Sequence, residues 1–314
     1  MVYSALSPSM QTIAVYFTAP GFESYPFDET GYREAYEHLA RACTDAGRRF
    51  AIVRGESTYQ GGNRFRGGWI HGETGFRRTE EEIAADVIFL KGKIRFTDDP
   101  TVINDPAFDA LCTDKWKTYR MFPDLSPKTM RVERAEELEP AIAALGTELL
   151  VAKPLDGEGG DGVVVAPKSE MRARVPGYPY LLQEFLDTSG GIPGLAEGMH
   201  DFRILSVRGT PFSILLRMPR KGSYLANVSQ GGQKKVLPPE DIPPEALALF
   251  REIDAQFTEY PNRIYSVDLG RDKNGEWKII ELNAQPGLSM DDYAEHESFR
   301  RFFAAVTDVL LSPR

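Results

Sequence analysis

Cysteine and histidine are scarce: the 314 residues include two cysteines and four histidines. Cys43 and Cys112 stand far apart without metal-ligand spacing, so the chain encodes neither a disulfide framework nor a zinc site. That usage fits a reducing cytoplasm. His38, His71, His200 and His296 are isolated from one another, and solvated or internally satisfied imidazoles explain them without catalytic chemistry. Also missing is any run of about 18 apolar residues, the length a membrane span needs. Met1 to Met10 lack the charged-then-apolar pattern of an export signal. There is no basic excess either. Lys and Arg number 37 against 46 Asp and Glu, a net charge of −9, which gives no general attraction to nucleic acid or to an anionic membrane.

Hydrophobic residues at 42% and charged residues at 26% are enough to build and solubilise a packed core. At about 150 residues per domain the length predicts two domains or three small ones. Thr12 to Thr18 is β-branched and aromatic and reads as a strand. A helix follows from Thr30, with Tyr32, Ala35, Tyr36, Leu39, Ala40 and Cys43 at helical spacing and a stop at Gly47. Phe50 to Val53 and Ala85 to Leu90 are further strands, and the β-α-β order predicts parallel pairing in an open α/β sheet. Gly55 to Arg78 lacks sustained periodicity and reads as a long loop or irregular hairpin. Its Arg64, Arg66 and Arg78 are either an anion-binding set or a solvated face.

Asp105 to Phe122 reads as a helical passage between domains, and Glu133 to Leu145 as a helix restarted at Pro140. Strands are predicted at Glu148 to Lys153, Gly162 to Val165 and Tyr180 to Phe185, and a hairpin at Phe202 to Val207 and Pro211 to Arg217. Helices at Glu245 to Phe257 and Glu297 to Leu311 close the chain. The fold class is therefore α/β with α+β, in three parts: an N-terminal α/β domain over 1–110, a central unit over 111–187 and a C-terminal unit over 188–314.

Two segments carry chemistry. In Ile264 to Asn283 two β-patterned runs flank Asn274-Gly275, the strongest short hairpin signal. A two-residue turn there places Asp268 directly opposite Glu281 with Asn283 on the same face, and pairs Val267 with Leu282 and Leu269 with Ile280 on an apolar face. Carboxylates facing each other across a ladder repel, so the pair needs a cation, a shared proton or a basic side chain, unless it is simply a solvated edge. A divalent metal such as Mg²⁺, or Mn²⁺, suits these hard oxygen donors, with phosphate or water completing the shell.

The second segment runs from Leu149 to Val165. A strand ends at Lys153, and Gly157, Gly159, Gly160 and Gly162 make a flexible connection to the next strand. Such a loop either closes over phosphate oxygens, with Lys153 as a point charge, or is only a turn. It is not a Walker A loop, because no Gly-Lys-Ser/Thr opens a helix.

In this order the motifs resemble the ATP-grasp superfamily, in particular bacterial glutathione synthetase and RimK-type carboxylate-amine ligases, over about residues 100 to 293. The resemblance implies an ATP-grasp fold behind a Rossmann-like N-terminal domain. It implies that Lys115 of Asp114-Lys115 and Lys153 of Lys153-Pro154 touch ATP phosphates beneath a flap containing Gly159 and Gly160. Gln183, Glu184, Phe185 and Asp187 correspond to the adenine hinge, and Asp201 and Arg203 to the segment beside ribose and phosphates. Arg217 would stabilise the transferred phosphate, and Asp268, Glu281 and Asn283 would hold magnesium. Asn283-Ala-Gln-Pro-Gly287 lies, in the family, at the substrate end. Before Asn227 the family has Arg-Gly where this chain has Leu225-Ala226, with Arg220 and Lys221 nearby.

The implied activity is an ATP- and Mg²⁺-dependent ligase joining a carboxylate to an amine, an amino acid or peptide. A carboxylate has oxide as its leaving group, so ATP converts it first to an acyl phosphate. Lys115, Lys153, Arg217 and the metal would neutralise charge, while Arg217 and the backbone near Gly287 would serve the tetrahedral oxyanion. The alternatives are an ATP-grasp kinase acting on a small-molecule hydroxyl and a non-catalytic ATP-binding protein. Expected partners are the small-molecule carboxylate and amine, with no nucleic acid or membrane, and a homodimer as in similar ligases. Loops near Pro20 to Phe27 and Tyr59 to Phe76 would choose the substrate.

Overall fold

A computed structural model describes residues 10–314 except 98–99, 156, 158, 176, 221, 225, 227–230 and 291–296. The chain forms two compact units, one from Met1–Pro106, Pro261–Ile264 and Gln285–Arg314, the other from Ala107–Tyr260 and Tyr265–Ala284. Among the described residues no helix is long and apolar enough to cross a membrane.

In the first unit β1 (Thr12–Phe17) is buried along its whole length, as a continuous apolar run at the centre of a sheet must be. It pairs in parallel with β2 (Arg49–Arg54) and β5 (Val87–Leu90), and β5 pairs in parallel with β6 (Val102–Ile103). Between β1 and β2 lies α1 (Thr30–Asp45), which buries Ala35, Tyr36, Leu39, Ala40 and Cys43 as their spacing predicts. Tyr32 departs from that face. A Cβ on Gly287 would stand 2.4 Å from its hydroxyl, so the backbone there approaches the ring as only glycine allows.

The stretch read as a loop or irregular hairpin is a regular addition to the sheet. After a short 3-10 turn, β3 (Arg64–Gly72) and β4 (Gly75–Ala84) extend it antiparallel, giving the order β4-β3-β2-β1-β5-β6. A bulge between Arg66 and Gly68 resets the alternation, which is why period-2 counting does not find the strands. Arg64, Arg66 and Arg78 are exposed, and Arg78 lies 4.6 Å over the Trp69 ring while bonding Glu80 at 2.9 Å. They are the solvated face. The last helix, α7 (Glu297–Leu311), belongs to this unit rather than to the C-terminal part, and Phe303 meets His38 of α1 edge to face at 6.0 Å.

The helical passage at the start of the second unit is broken in two. Asp114 ends α2 (Pro106–Thr113) and caps α3 (Lys115–Met121), its carboxylate accepting the N–H groups of Trp116 and Lys117 at 3.0 and 3.1 Å. A four-stranded antiparallel sheet follows in the order β7-β10-β8-β9, from β7 (Thr129–Val132), β8 (Leu149–Lys153), β9 (Val164–Pro167) and β10 (Tyr180–Glu184). Helices α4 (Leu138–Ala144) and α5 (Lys168–Arg174) cover it through Leu138 and Met171. A five-stranded sheet holds β11 (Asp201–Val207), β12 (Thr210–Met218), β13 (Gln233–Leu237), β14 (Ile264–Arg271) and β15 (Trp277–Asn283) in the order β13-β12-β11-β14-β15. Its core joins Phe202, Leu216, Val267 and Leu282 to Phe250 and Ile253 of α6 (Pro244–Asp254). Strands β7 and β13 and helix α5 are absent from the sequence reading. The 187/188 boundary falls inside this unit.

Buried Arg54, 2% exposed, organises the loop after β1. Its guanidinium donates to the carbonyls of Ala19 (2.7 Å), Ser24 (3.2 Å) and Tyr25 (2.7 Å) and to the Ser24 hydroxyl (2.9 Å), and lies 5.3 and 5.2 Å over the Phe17 and Phe27 rings. Arg54→Met should destabilise this unit by on the order of 3 kcal/mol, read as a lower urea midpoint. Arg54→Lys should not rescue it, because an ammonium cannot fork among these acceptors.

Candidate active site

The β14–β15 hairpin brings Asp268 opposite Glu281 by a route that differs from a two-residue turn. The loop is longer, since Arg271 pairs with Trp277, and Asp272 closes it by accepting the N–H groups of Asn274 and Glu276, each at 2.8 Å. Gly275 supplies the left-handed residue at φ 92°. That loop shifts the register by one. A bulge between Asp268 and Leu269 shifts it back, so Asp268 faces Glu281, Val267 faces Leu282 and Ser266 faces Asn283. Leu269 pairs with Ile279 instead of Ile280. Ile280 is the extra residue, and both it and Glu281 line the same cavity.

That cavity has a volume of about 1020 Å³ and lies wholly in the second unit. Part of its lining is aliphatic, including Val151, Val165, Leu186, Met199 and Ile280. Gly270 makes room for this part, because a Cβ there would stand 2.6 Å from Leu186 and 2.8 Å from Thr188 side-chain carbons. The other part is charged: Lys115, Lys153, Asp161, Glu184, Asp201, Arg217, Asp268 and Glu281.

Most of these charged groups are paired with one another. Asp268 is 1% exposed. Its two oxygens accept from Arg203 Nε and Nη2, each at 2.7 Å, and Oδ2 also accepts from Arg217 Nη2 at 2.5 Å. Arg217 reaches Asp201 as well, at 2.6 Å. Burial works to raise the Asp268 pKa, but the Arg203 and Arg217 guanidiniums override it and hold the group below the usual carboxylate range. Asp201 goes the other way: burial pushes it up to about 6 against the pull of Arg217, with the Asp268 charge adding to the rise. Lys115 Nζ lies 3.1 Å from Glu281 Oε1 and donates to the Gly157 carbonyl at 2.8 Å, linking α3, β15 and the glycine loop. Lys153 is buried and donates to Gln183 Oε1 at 2.8 Å. Burial lowers its pKa to about 8, with Glu281 opposing and Lys115 adding to the fall.

Of the residues singled out from the sequence, Lys115, Lys153, Gly160, Gln183, Glu184, Phe185, Asp201, Arg217, Asp268 and Glu281 line this one cavity. Arg203 touches it through Asp268. Gly159 and Asp187 adjoin lining residues in sequence but are outside the lining, as is Asn283 two residues past Glu281, and Gly287 belongs to the other unit beside Tyr32. Three of the hinge side chains are engaged within the protein. Gln183 is engaged by Lys153 and Thr129, Glu184 Oε1 accepts the Gly146 N–H at 2.5 Å, and Asp187 accepts the Ser189 N–H at 3.1 Å. Contacts with Ser189 hold the Asp187 pKa low. Lys221, Leu225 and Asn227 lie outside the described residues.

Thr188, Met199, His200, Ile280 and Tyr224 line the cavity without having been found in the sequence. No local pattern marks them, because strand register and loop path bring them in. His200 is the internally satisfied imidazole its isolation predicts. Nε2 accepts the Arg271 N–H at 3.1 Å, so Nδ1 carries the proton and donates to the Gly198 carbonyl at 3.0 Å.

As a magnesium site the donor set is chemically suitable, being all hard oxygen. Among the described residues no three His, Cys, Asp or Glu side chains gather around one point. Both Asp268 oxygens already hold guanidiniums and Glu281 faces Lys115, so a metal there would require those cations to turn to phosphate oxygens. Asp268→Asn should leave two buried guanidiniums facing a neutral amide and destabilise the protein by about 3 kcal/mol or more. Glu281→Gln, at a side chain 30% exposed, should change stability by less than about 1 kcal/mol. Paired denaturant melts of the two variants check the difference.

Residues 115–242 match the family model for the prokaryotic glutathione synthetase ATP-grasp domain. A glutathione synthetase from Agrobacterium fabrum is 31% identical over 140 residues, 42% of this chain and 40% of that protein. A probable alpha-L-glutamate ligase from Legionella pneumophila is 29% identical over 175 residues, 52% of this chain and 51% of the other. The chain thus spans about half or less of the length of the curated relatives it matches. In overall fold it is similar to the VanG D-Ala:D-Ser ligase from Enterococcus faecalis, with a TM-score of 0.64 at 16% identity over 96% of this chain and 98% of that one. Residues 115–242 are thus similar to the ATP-grasp domain of prokaryotic glutathione synthetases, and the chain shares the fold of these solved ligases.

Proposed function

We propose that the chain is an ATP- and Mg²⁺-dependent ligase that joins a carboxylate to an amine through an acyl phosphate. The observation that carries this reading is the placement of the cations: Lys115, Lys153 and Arg217 line the cavity beside its aliphatic part, and Arg203 backs it through Asp268. A nucleoside fits the aliphatic part and a polyphosphate the cationic part. The names of the matched relatives, glutathione synthetase and alpha-L-glutamate ligase, agree in reaction type.

Bound ATP and magnesium would supply the phosphoryl group and screen its charge. Lys115 and Lys153 would bind phosphate oxygens as point charges. Arg217, held on two sides by Asp201 and Asp268, offers a guanidinium whose direction is fixed before substrate arrives, which is what electrostatic stabilisation requires. Lys115 also holds the glycine loop at Gly157, so a phosphate drawing on that ammonium would be sensed by the loop that excludes water from the acyl phosphate. Glu281 and Asn283, with Asp268 once its arginines turn to phosphate, would hold the metal. The N-terminal unit would choose the carboxylate and amine, both small molecules, and Gly287 would lie at the substrate end.

ADP formation measured with panels of amino acids and dipeptides should require a carboxylate and an amine together, with an amide product seen by mass. Turnover with a hydroxyl compound and no amine would instead favour a kinase, and no turnover with any acceptor a binding protein. ATP affinity should also depend on pH. Lys153 is charged below about 8 and neutral above it, so affinity should be steady below that pH and fall by up to about tenfold per unit above it. Lys153→Arg should remove the dependence, because a guanidinium stays charged. Calorimetric titrations from pH 7 to 9.5 check both.

A further inference from the structure

Lys153 stands on the wall between two cavities, the large one and a second of about 310 Å³ lined by Thr118, Ser126, Gln183, Ile279 and Glu281 among others. A four-carbon stem with an ammonium at its end can lean into either. What fixes it is a row of side chains across the small antiparallel sheet. Leu181 of β10 pairs directly with Lys153 of β8, which makes Gln183 its diagonal neighbour on the same face. On the other side of β10, Gln183 pairs directly with Thr129 of β7.

The hydrogen bonds along this row run in one direction only. An ammonium donates and never accepts, so Gln183 must present Oε1 to Lys153, at 2.8 Å. Its Nε2 then has to find acceptors, which are Thr129 Oγ1 at 2.7 Å and the Pro127 carbonyl at 3.4 Å. The Thr129 hydroxyl passes its own proton to the Pro127 carbonyl at 2.9 Å. Reversing the amide would set N–H groups against the ammonium and a carbonyl oxygen against the Pro127 oxygen. Thr129 at 2% exposed and Gln183 and Lys153 at 8% leave little water to substitute for a missing partner.

We infer that Thr129 and Gln183 are positioning residues for Lys153, fixing the amide so that its oxygen holds the ammonium where it meets an anionic phosphate. The inference rests on the reading of the cavity as a nucleotide site. Thr129→Val keeps the shape and deletes the hydroxyl, so Gln183 Nε2 loses its nearer acceptor. Gln183→Met deletes the acceptor itself.

Calorimetric dissociation constants for ATP and for adenosine, measured on the full chain, test it. Thr129→Val should weaken ATP by roughly 3- to 10-fold while adenosine binding stays within about twofold, since adenosine has no phosphate for Lys153 to hold, and Gln183→Met should weaken ATP at least as much. Thr129→Ser should restore ATP binding, and in a Lys153→Met background Thr129→Val should cost nothing further. Equal weakening of ATP and adenosine, or an undiminished effect of Thr129→Val without Lys153, would overturn the inference and show a row that only packs the sheet. A wild-type chain that binds no ATP would remove the nucleotide reading first, and the inference with it.

Discussion

Asp268 is the group around which the second unit is arranged. A carboxylate this far from water is stable as an anion only with cations fixed against it, and Arg203 grips it with two parallel hydrogen bonds while Arg217 adds a third. Arg217 is itself buried and charged, and Asp201 answers its other side. The same logic then fails to close. Lys115 has Glu281, but Lys153 has only a neutral amide, and burial lowers its pKa as a result. Lys153 lies beside the aliphatic lining, so an apolar and a cationic surface meet on one wall.

The facing of Asp268 and Glu281 was legible in the sequence, although the turn that was read there is not the one that forms. Asp272 to Glu276 makes a longer loop and moves the register by one residue, and the bulge at Ile280 moves it back. What survives both changes is the alternation next to the acids: Val267 and Leu282 must enter the core, so Asp268 and Glu281 must leave it. Ile280 shows the limit of the method. It is apolar and sits at alternating spacing, and nothing in its neighbourhood signals that a bulge will turn it from the core to the cavity.

The same distinction holds across the fold. Strands β1, β2, β8 and β10 and helices α1 and α7 could be read because each has one buried face or a continuous apolar run. Strands β3 and β4 could not, since Gly67 and Gly68 interrupt the pattern where the bulge forms. The membership of α7 in the first unit is a long-range packing fact, set by partners such as His38 and Phe303 that are far apart in the chain. The residues of the cavity were found as positions, through the order of motifs, but their orientations were not. Gln183 and Glu184 line it, yet their side chains turn to Lys153, Thr129 and Gly146.

Those orientations explain how one sheet edge supplies both kinds of lining. An unbroken β15 would alternate sides, and Ile280 would then point away from Glu281. The bulge cancels one step of the alternation and sets an aliphatic side chain next to an acidic one on the same wall. Gly270, across on β14, leaves out its own side chain so that Leu186 and Ile280 can lie over the backbone there. A single inserted residue and a missing Cβ therefore decide where the apolar part of the cavity ends and the charged part begins. That boundary is fixed by backbone geometry, before any ligand is bound.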